Sequence, residues 1–157
     1  MSDFVEKYSK ADFIKRPWKQ DLILFYPPEF YPFDNFSSFQ VEWEDKLYPT
    51  SEHLYQSLKF VKTNPQLAED IRNAKSAHDA QRIASENKSS IEESRHERKQ
   101  TVMKEVLKAK FWQHTYIQKK LRQSGDRKIV EDSWRDERRW RWANKDGKNM
   151  LGKIWME

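Results

Sequence analysis

Residues 49–60 read Pro49-Thr50-Ser51-Glu52-His53-Leu54-Tyr55-Gln56-Ser57-Leu58-Lys59-Phe60. Thr50 is a good N-cap, so the segment predicts a helix from about Ser51 to Lys62. At helical spacing, Glu52, Gln56 and Lys59 project from one side, while Leu54, Leu58 and Val61 form a separate apolar stripe. Such a helix buries one side and offers an acid, an amide and an amine on the other. Two readings of Glu52 follow. Carboxylates are common at helix starts because the helix dipole favours them. The same placement also suits a catalytic carboxylate presented just after a loop.

Upstream, Phe39, Val41 and Trp43 alternate with polar residues, the period of a half-buried strand. Glu44-Asp45-Lys46 turns that strand back into Leu47-Tyr48. Leu22 to Tyr26 is a further strand candidate. Pro27, Pro28 and Pro32 place a loop over residues 27–37. Residues 1–21 read as a peripheral N-terminal arm with one short helix from Asp3 to about Ile14. Residues 22–157 read as one domain.

Downstream, Asn64-Pro65 pairs a cap with a proline at the first helical position. Ser76 with Asp79 resembles a capping box. A long helix is expected from about Ser90 to Phe111, where Val102, Val106 and Ala109 recur at helical spacing with Leu107 and Phe111 alongside. Another is expected from about Thr115 to Gln123, stopping near Gly125. Asn149 is placed to cap a last short helix through Met156. The fold class is therefore α+β, a mostly helical single domain with a small N-terminal β-sheet.

The chain has 157 residues, 35% of them charged and 14% aromatic, with a net charge of +5. That length suits one domain with a sizeable core. The basic balance favours phosphorylated metabolites or nucleic acid as partners, and it equally describes an ordinary solvated surface. There is no cysteine, so disulfide and thiolate chemistry are excluded. The three glycines, Gly125, Gly147 and Gly152, cannot build a phosphate-binding P-loop or a dinucleotide fingerprint. His53, His78, His96 and His114 have no metal-ligand spacing, and neither metal nor other cofactor is expected. The charged start and the lack of a long apolar run point to a cytoplasmic protein outside membranes.

A second cluster comprises Trp134, Asp136, Arg138, Arg139, Trp140, Arg141 and Trp142. Indole rings stack on bases and guanidinium groups pair with phosphates. The cluster suits a nucleotide-like ligand, and it equally suits a basic edge strand, or a rim where arginines cover the tryptophans through cation–π contact.

With these residues in view, the stretch FDNFSSFQVEWEDKLYPTSEHLYQSLKF resembles the start of the NADAR, or YbiA-like, family. The shared pattern falls on Asn35, Phe36, Pro49, Thr50, Glu52, His53, Gln56, Lys59 and Phe60. VMKEVLKAKF resembles the family's central helix. IVEDSWRDERRWRWANKDGKNMLGKIWM resembles its C-terminal block, with Asp136, Asn149, Leu151 and Gly152 in place. The resemblance spans roughly residues 22–156. It implies a YbiA-like fold and an N-glycosidase. The substrate it implies first is a phosphoribosylamino-pyrimidine intermediate of riboflavin synthesis. ADP-ribosyl-guanine in modified nucleic acid is the alternative. A non-catalytic module for ADP-ribose or nucleic acid is the contrasting class.

The resemblance implies catalytic roles for Glu52 and Asp136. Asn35, Phe36, Tyr55, Lys59, Arg95, Arg139, Trp140 and Asn149 are the expected substrate-binding positions. Trp140 and Tyr55 would stack on the base, and Lys59 and Arg139 would meet phosphate. Asn149 would fix local backbone or bond the ligand. The chain departs from the family at Ala84 and Ser85, where a Gly-Arg pair is usual. It departs again at Arg95, which aligns with a tryptophan, and at Arg139, where a tryptophan falls one place later on Trp140.

Overall fold

The computed structural model describes residues 30–130 and 149–157, together with the backbone of residues 22–24. The expected N-terminal helix and the 131–148 cluster lie outside the described residues. The architecture is α+β and mostly helical, in two compact units. Among described residues one unit is 35–118, and the other joins 22–24 and 30–34 to 119–130 and 149–157.

The first unit opens with a two-stranded antiparallel hairpin, β2 (Val41–Trp43) and β3 (Lys46–Tyr48), in the register Val41↔Tyr48. β1 (Leu22–Leu24) belongs to the other unit. The hairpin turn is Glu44-Asp45, and both residues have positive φ, 48° and 60°. A two-residue turn needs that left-handed backbone so that its twist matches the strands. Glycine and asparagine adopt it most easily, so Glu44 is strained here.

Helix α1 (Ser51–Ser57) follows directly. The Thr50 hydroxyl accepts from the His53 N–H, the cap its residue type predicts. The helix is shorter than the expected Ser51–Lys62. After Leu58 the chain tightens into turns, with the Lys59 and Phe60 N–H groups donating to the Gln56 and Ser57 carbonyls. Phe60 is anchored in the core, and Asn64-Pro65 forbids continuation. A larger correction concerns the faces of α1. All seven of its residues are buried, because α2, α3 and α5 pack around it. The expected split into an inner and an outer side is replaced by a helix buried all round.

Those surrounding helices are α2 (Pro65–Arg72), α3 (Ala77–Glu86) and α5 (Lys99–Gln113), with the single turn α4 (Ser94–Glu97) between the last two. The Asn64 side chain accepts from the Leu67 N–H, and Ser76 accepts from the Asp79 N–H, as their residue types predict. Phe60, Ala68, Ile71, Ala80 and Ala84 form a core among these elements. Three of the five are alanine, so the helices approach closely. The single helix expected from Ser90 to Phe111 is broken into α4 and α5 at Arg98. No apolar residue occurs between Ile91 and Val102 to hold one continuous face.

Helix α6 (Thr115–Ser124) ends at Gly125, whose φ of 54° is the left-handed stop expected of glycine. In the second unit β4 (Lys128–Val130) pairs in parallel with β1, Leu22 opposite Lys128. The strand expected to reach Tyr26 is described only for Leu22–Leu24. Pro32 lies inside a one-turn 3₁₀ helix, Tyr31–Phe33, where irregular loop was expected. That short turn tolerates proline at its start.

The final helix, α7 (Met150–Met156), packs on β4. Asn149 precedes it with φ 50°, and its side chain makes no cap, contrary to expectation. The side-chain amide instead donates to the Ile129 carbonyl at 3.0 Å. Gly152 makes this packing possible. A Cβ there would stand 2.2 Å from the Ile129 carbonyl oxygen and 2.5 Å from the Asn149 side chain.

Candidate active site

The site is built from the first turn of α1 outward. Glu52 is 2% exposed. Gln56, one turn on, donates from Nε2 to Glu52 Oε1 at 2.6 Å. That is a charge-assisted contact, stronger than a neutral one. The Glu52 N–H donates to the Asn35 carbonyl at 3.1 Å, satisfying a backbone donor the helix leaves open. Ser51 Oγ donates toward the same carbonyl and toward Asn35 Oδ1, at 3.2 and 3.0 Å. Asn35 Nδ2 meets the Met103 sulfur of α5 at 3.4 Å. Asn35 therefore ties the loop before the hairpin to the helix start and to α5.

His53, beside Glu52, is a structural residue. Its Nδ1 lies 2.8 Å from the Thr50 hydroxyl and its Nε2 3.1 Å from the Ala74 carbonyl. A carbonyl only accepts, so Nε2 carries the proton and Nδ1 accepts from threonine. Burial pushes the imidazole below its ordinary pKa. The Ala74 hydrogen bond and the Asp79 charge oppose that shift without cancelling it. Phe36, buried nearby, stands edge-on to His78 at 5.1 Å between ring centroids.

Tyr55, also buried, has two cations against its ring. The Arg95 guanidinium carbon lies 4.7 Å from the ring centroid and Lys59 Nζ lies 5.2 Å from it. Arg95 comes from α4 and is itself 2% exposed. Its Nη2 reaches the Tyr55 carbonyl at 3.5 Å. Arg95 Nε and Nη1 and Gln56 Oε1 are buried without a hydrogen-bond partner.

The structure thus brings Asn35, Glu52, Tyr55, Lys59 and Arg95 into one unit with Phe36. Asn149 belongs to the other unit, where its amide fixes the Ile129 backbone. Asp136, Arg139 and Trp140 lie outside the described residues. Sequence reasoning missed Lys110, which is fully buried in α5 with Nζ 2.8 Å from Ser37 Oγ and 5.5 Å from the Phe39 ring. Its signal was spacing. Met103, Val106, Leu107 and Lys110 share one helical stripe, and a lysine on an apolar stripe marks a buried amine. Among the described residues no group of three acidic, histidine or cysteine side chains could hold a metal ion. None of the described helices is long and apolar enough to cross a membrane.

Helix α1 thus carries a buried carboxylate with a fixed amide donor and, on Tyr55, an aromatic ring with two cations against it, groups suited to stabilising positive charge and to holding an anion. Known proteins agree with that equipment. The model of the NADAR domain matches residues 24–157, and the chain belongs to the NADAR family. It is 30% identical over 150 residues to N-glycosidase YbiA of Shigella boydii, spanning 94% of this chain and 92% of that one. The NMR structure of the Escherichia coli protein YbiA shares the fold with a TM-score of 0.76 at 30% identity, covering 90% of this chain and 85% of that one. A longer Vibrio vulnificus protein, named as a riboflavin biosynthesis protein, is 28% identical over 139 residues, 88% of this chain and 37% of its own length. The protein is an enzyme of the N-glycosidase class, a hydrolase of N-glycosyl compounds.

Proposed function

We propose that the chain hydrolyses the N-glycosidic bond of phosphoribosylamino-pyrimidine intermediates of riboflavin synthesis, with Glu52 as the catalytic carboxylate. The carrying observation is the Glu52 carboxylate itself, sealed at the first turn of α1 and held by Gln56 at 2.6 Å. The riboflavin biosynthesis name of the Vibrio vulnificus relative supports this choice of substrate.

Cleaving a ribosyl–nitrogen bond develops positive charge at the anomeric carbon. A fixed carboxylate in a low-dielectric setting stabilises that charge without reorganising. It also takes a proton from the attacking water. The water oxygen then bonds to the anomeric carbon, the carbon–nitrogen bond breaks with its electron pair going to the nitrogen, and the proton taken up by Glu52 passes to the departing base, which returns Glu52 to its carboxylate form. Asp136 assists by holding the ribose. Trp140 and Tyr55 contact the base, Lys59 and Arg139 meet phosphate, and Asn35 and Phe36 shape the wall beside Glu52. Asn149 supports the site through local backbone.

The test is base release followed by mass spectrometry, with the pyrimidine intermediate and ADP-ribosylated guanine nucleic acid offered separately. Release from the first alone is expected. Release from the second alone would transfer the activity to modified nucleic acid. Glu52→Gln should lower kcat by at least a hundredfold with the fold intact. Turnover near wild type in that variant would remove Glu52 from its role.

A further inference from the structure

We propose that Arg95 is an anion receptor, pairing its guanidinium with the phosphate of the bound ribosyl ligand. The inference rests on the reading above and deepens it, by naming the group that recognises the ligand's charge. Arg95 is 2% exposed, among the largest fully buried side chains of the described chain. Arginine offers five N–H donors and no acceptor, and it keeps its charge at any working pH. Here Nε and Nη1 have no acceptor among the described residues. Nη2 has only the Tyr55 carbonyl, at the 3.5 Å limit of a hydrogen bond. No described carboxylate pairs with it.

A buried, uncompensated charge is strongly destabilising. Contact with the Tyr55 ring at 4.7 Å offsets part of that cost. It does nothing for the unmade N–H bonds, because a ring face accepts weakly. Lys59 Nζ stands at the same ring, 5.2 Å from its centroid. A phosphate supplies what is missing: negative charge and several acceptor oxygens, two of which the planar guanidinium fork can meet side by side. On the next residue, Gln56 Oε1 is a buried acceptor without a donor. A sugar hydroxyl is the complementary group. Donors without acceptors against Tyr55, and an acceptor without a donor on the following residue, match the two kinds of group, phosphate and hydroxyl, that a ribose phosphate carries.

The experiment uses ribose 5-phosphate, ribose and inorganic phosphate as probes, read by thermal melting and by titration calorimetry. On the wild-type protein ribose 5-phosphate and phosphate should raise Tm, and ribose should not. Arg95→Met should abolish the phosphate-dependent shift. Glu52→Gln should retain it while losing turnover, so that failure of the catalytic assignment and failure of the anion assignment read differently. Should Arg95→Met not fold, Arg95→Lys keeps the charge without the planar fork and should bind ribose 5-phosphate at least tenfold more weakly. A wild-type Tm unmoved by phosphate would overturn the proposal. So would ribose 5-phosphate affinity unchanged in either Arg95 variant.

Discussion

Gln56 donates its amide N–H to the carboxylate of Glu52 at 2.6 Å, from one turn further along a helix that is buried on every side. The two residues work as one unit, because the amide fixes where the carboxylate stands. A hydrogen bond to a charged group contributes about 1.5–3 kcal/mol. Gln56→Leu should therefore lower kcat roughly ten- to a hundredfold while leaving KM within a few-fold, measured with the fold checked by circular dichroism. A large rise in KM with kcat unchanged would instead leave Gln56 its ligand contact alone and no hold on Glu52 that matters to turnover.

Stability should respond to His53. Its pKa is lowered in the folded state by burial, while the unfolded chain has the ordinary value near 6.5. The unfolded state then binds more protons as pH falls through that value, so the stabilisation from neutral His53 is complete above about 6.5 and is lost below it. Glu69 and Glu92 are lowered by ion pairs and hydrogen bonds, and their contributions disappear only below about 4.5. Urea denaturation at steps from pH 8 to 5 should show a fall that His53→Gln largely removes. An identical slope in that variant would assign the fall to other groups.

Gly152 should tolerate no side chain. Its missing Cβ would meet the Ile129 carbonyl at 2.2 Å and the Asn149 amide group at 2.5 Å, both held by the hydrogen bond that joins them. Gly152→Ala should cost about 3 kcal/mol by forcing α7 off β4, at the upper end of overpacking penalties. Thermal melting measures this directly. A variant melting within a degree of wild type would show that α7 shifts freely.

The local signals in the sequence carried much of the fold. Thr50, Asn64 with Pro65, Ser76 and Gly125 each bound or stopped the chain where their chemistry says they should. The turn at Glu44-Asp45 was legible from the alternation before it, although Glu44 is not a usual left-handed residue. What depended on distant packing was not legible. Helix α1 carries Glu52, Tyr55 and Gln56 and still lies inside the unit, because neighbouring alanines let α2 and α3 close around it. The break at Arg98 follows from a charged stretch that offers no periodicity to read. The position of Glu52 was visible through its motif. The burial of Arg95 was not, since a cation on a helix is ordinarily read as a solvated one, whereas that of Lys110 was signalled by its place on an apolar stripe.

The all-round burial of α1 has a consequence for anyone screening this enzyme by saturation mutagenesis. Between Ser51 and Ser57 there is no position where a side chain can be exchanged without touching the interior. Dead variants from that window will mix poisoned chemistry with chains that never reach the soluble pool. Activity normalised to cell number would score both as catalytic residues. Activity normalised to the amount of folded protein would separate them, and within this window the second measure alone is informative.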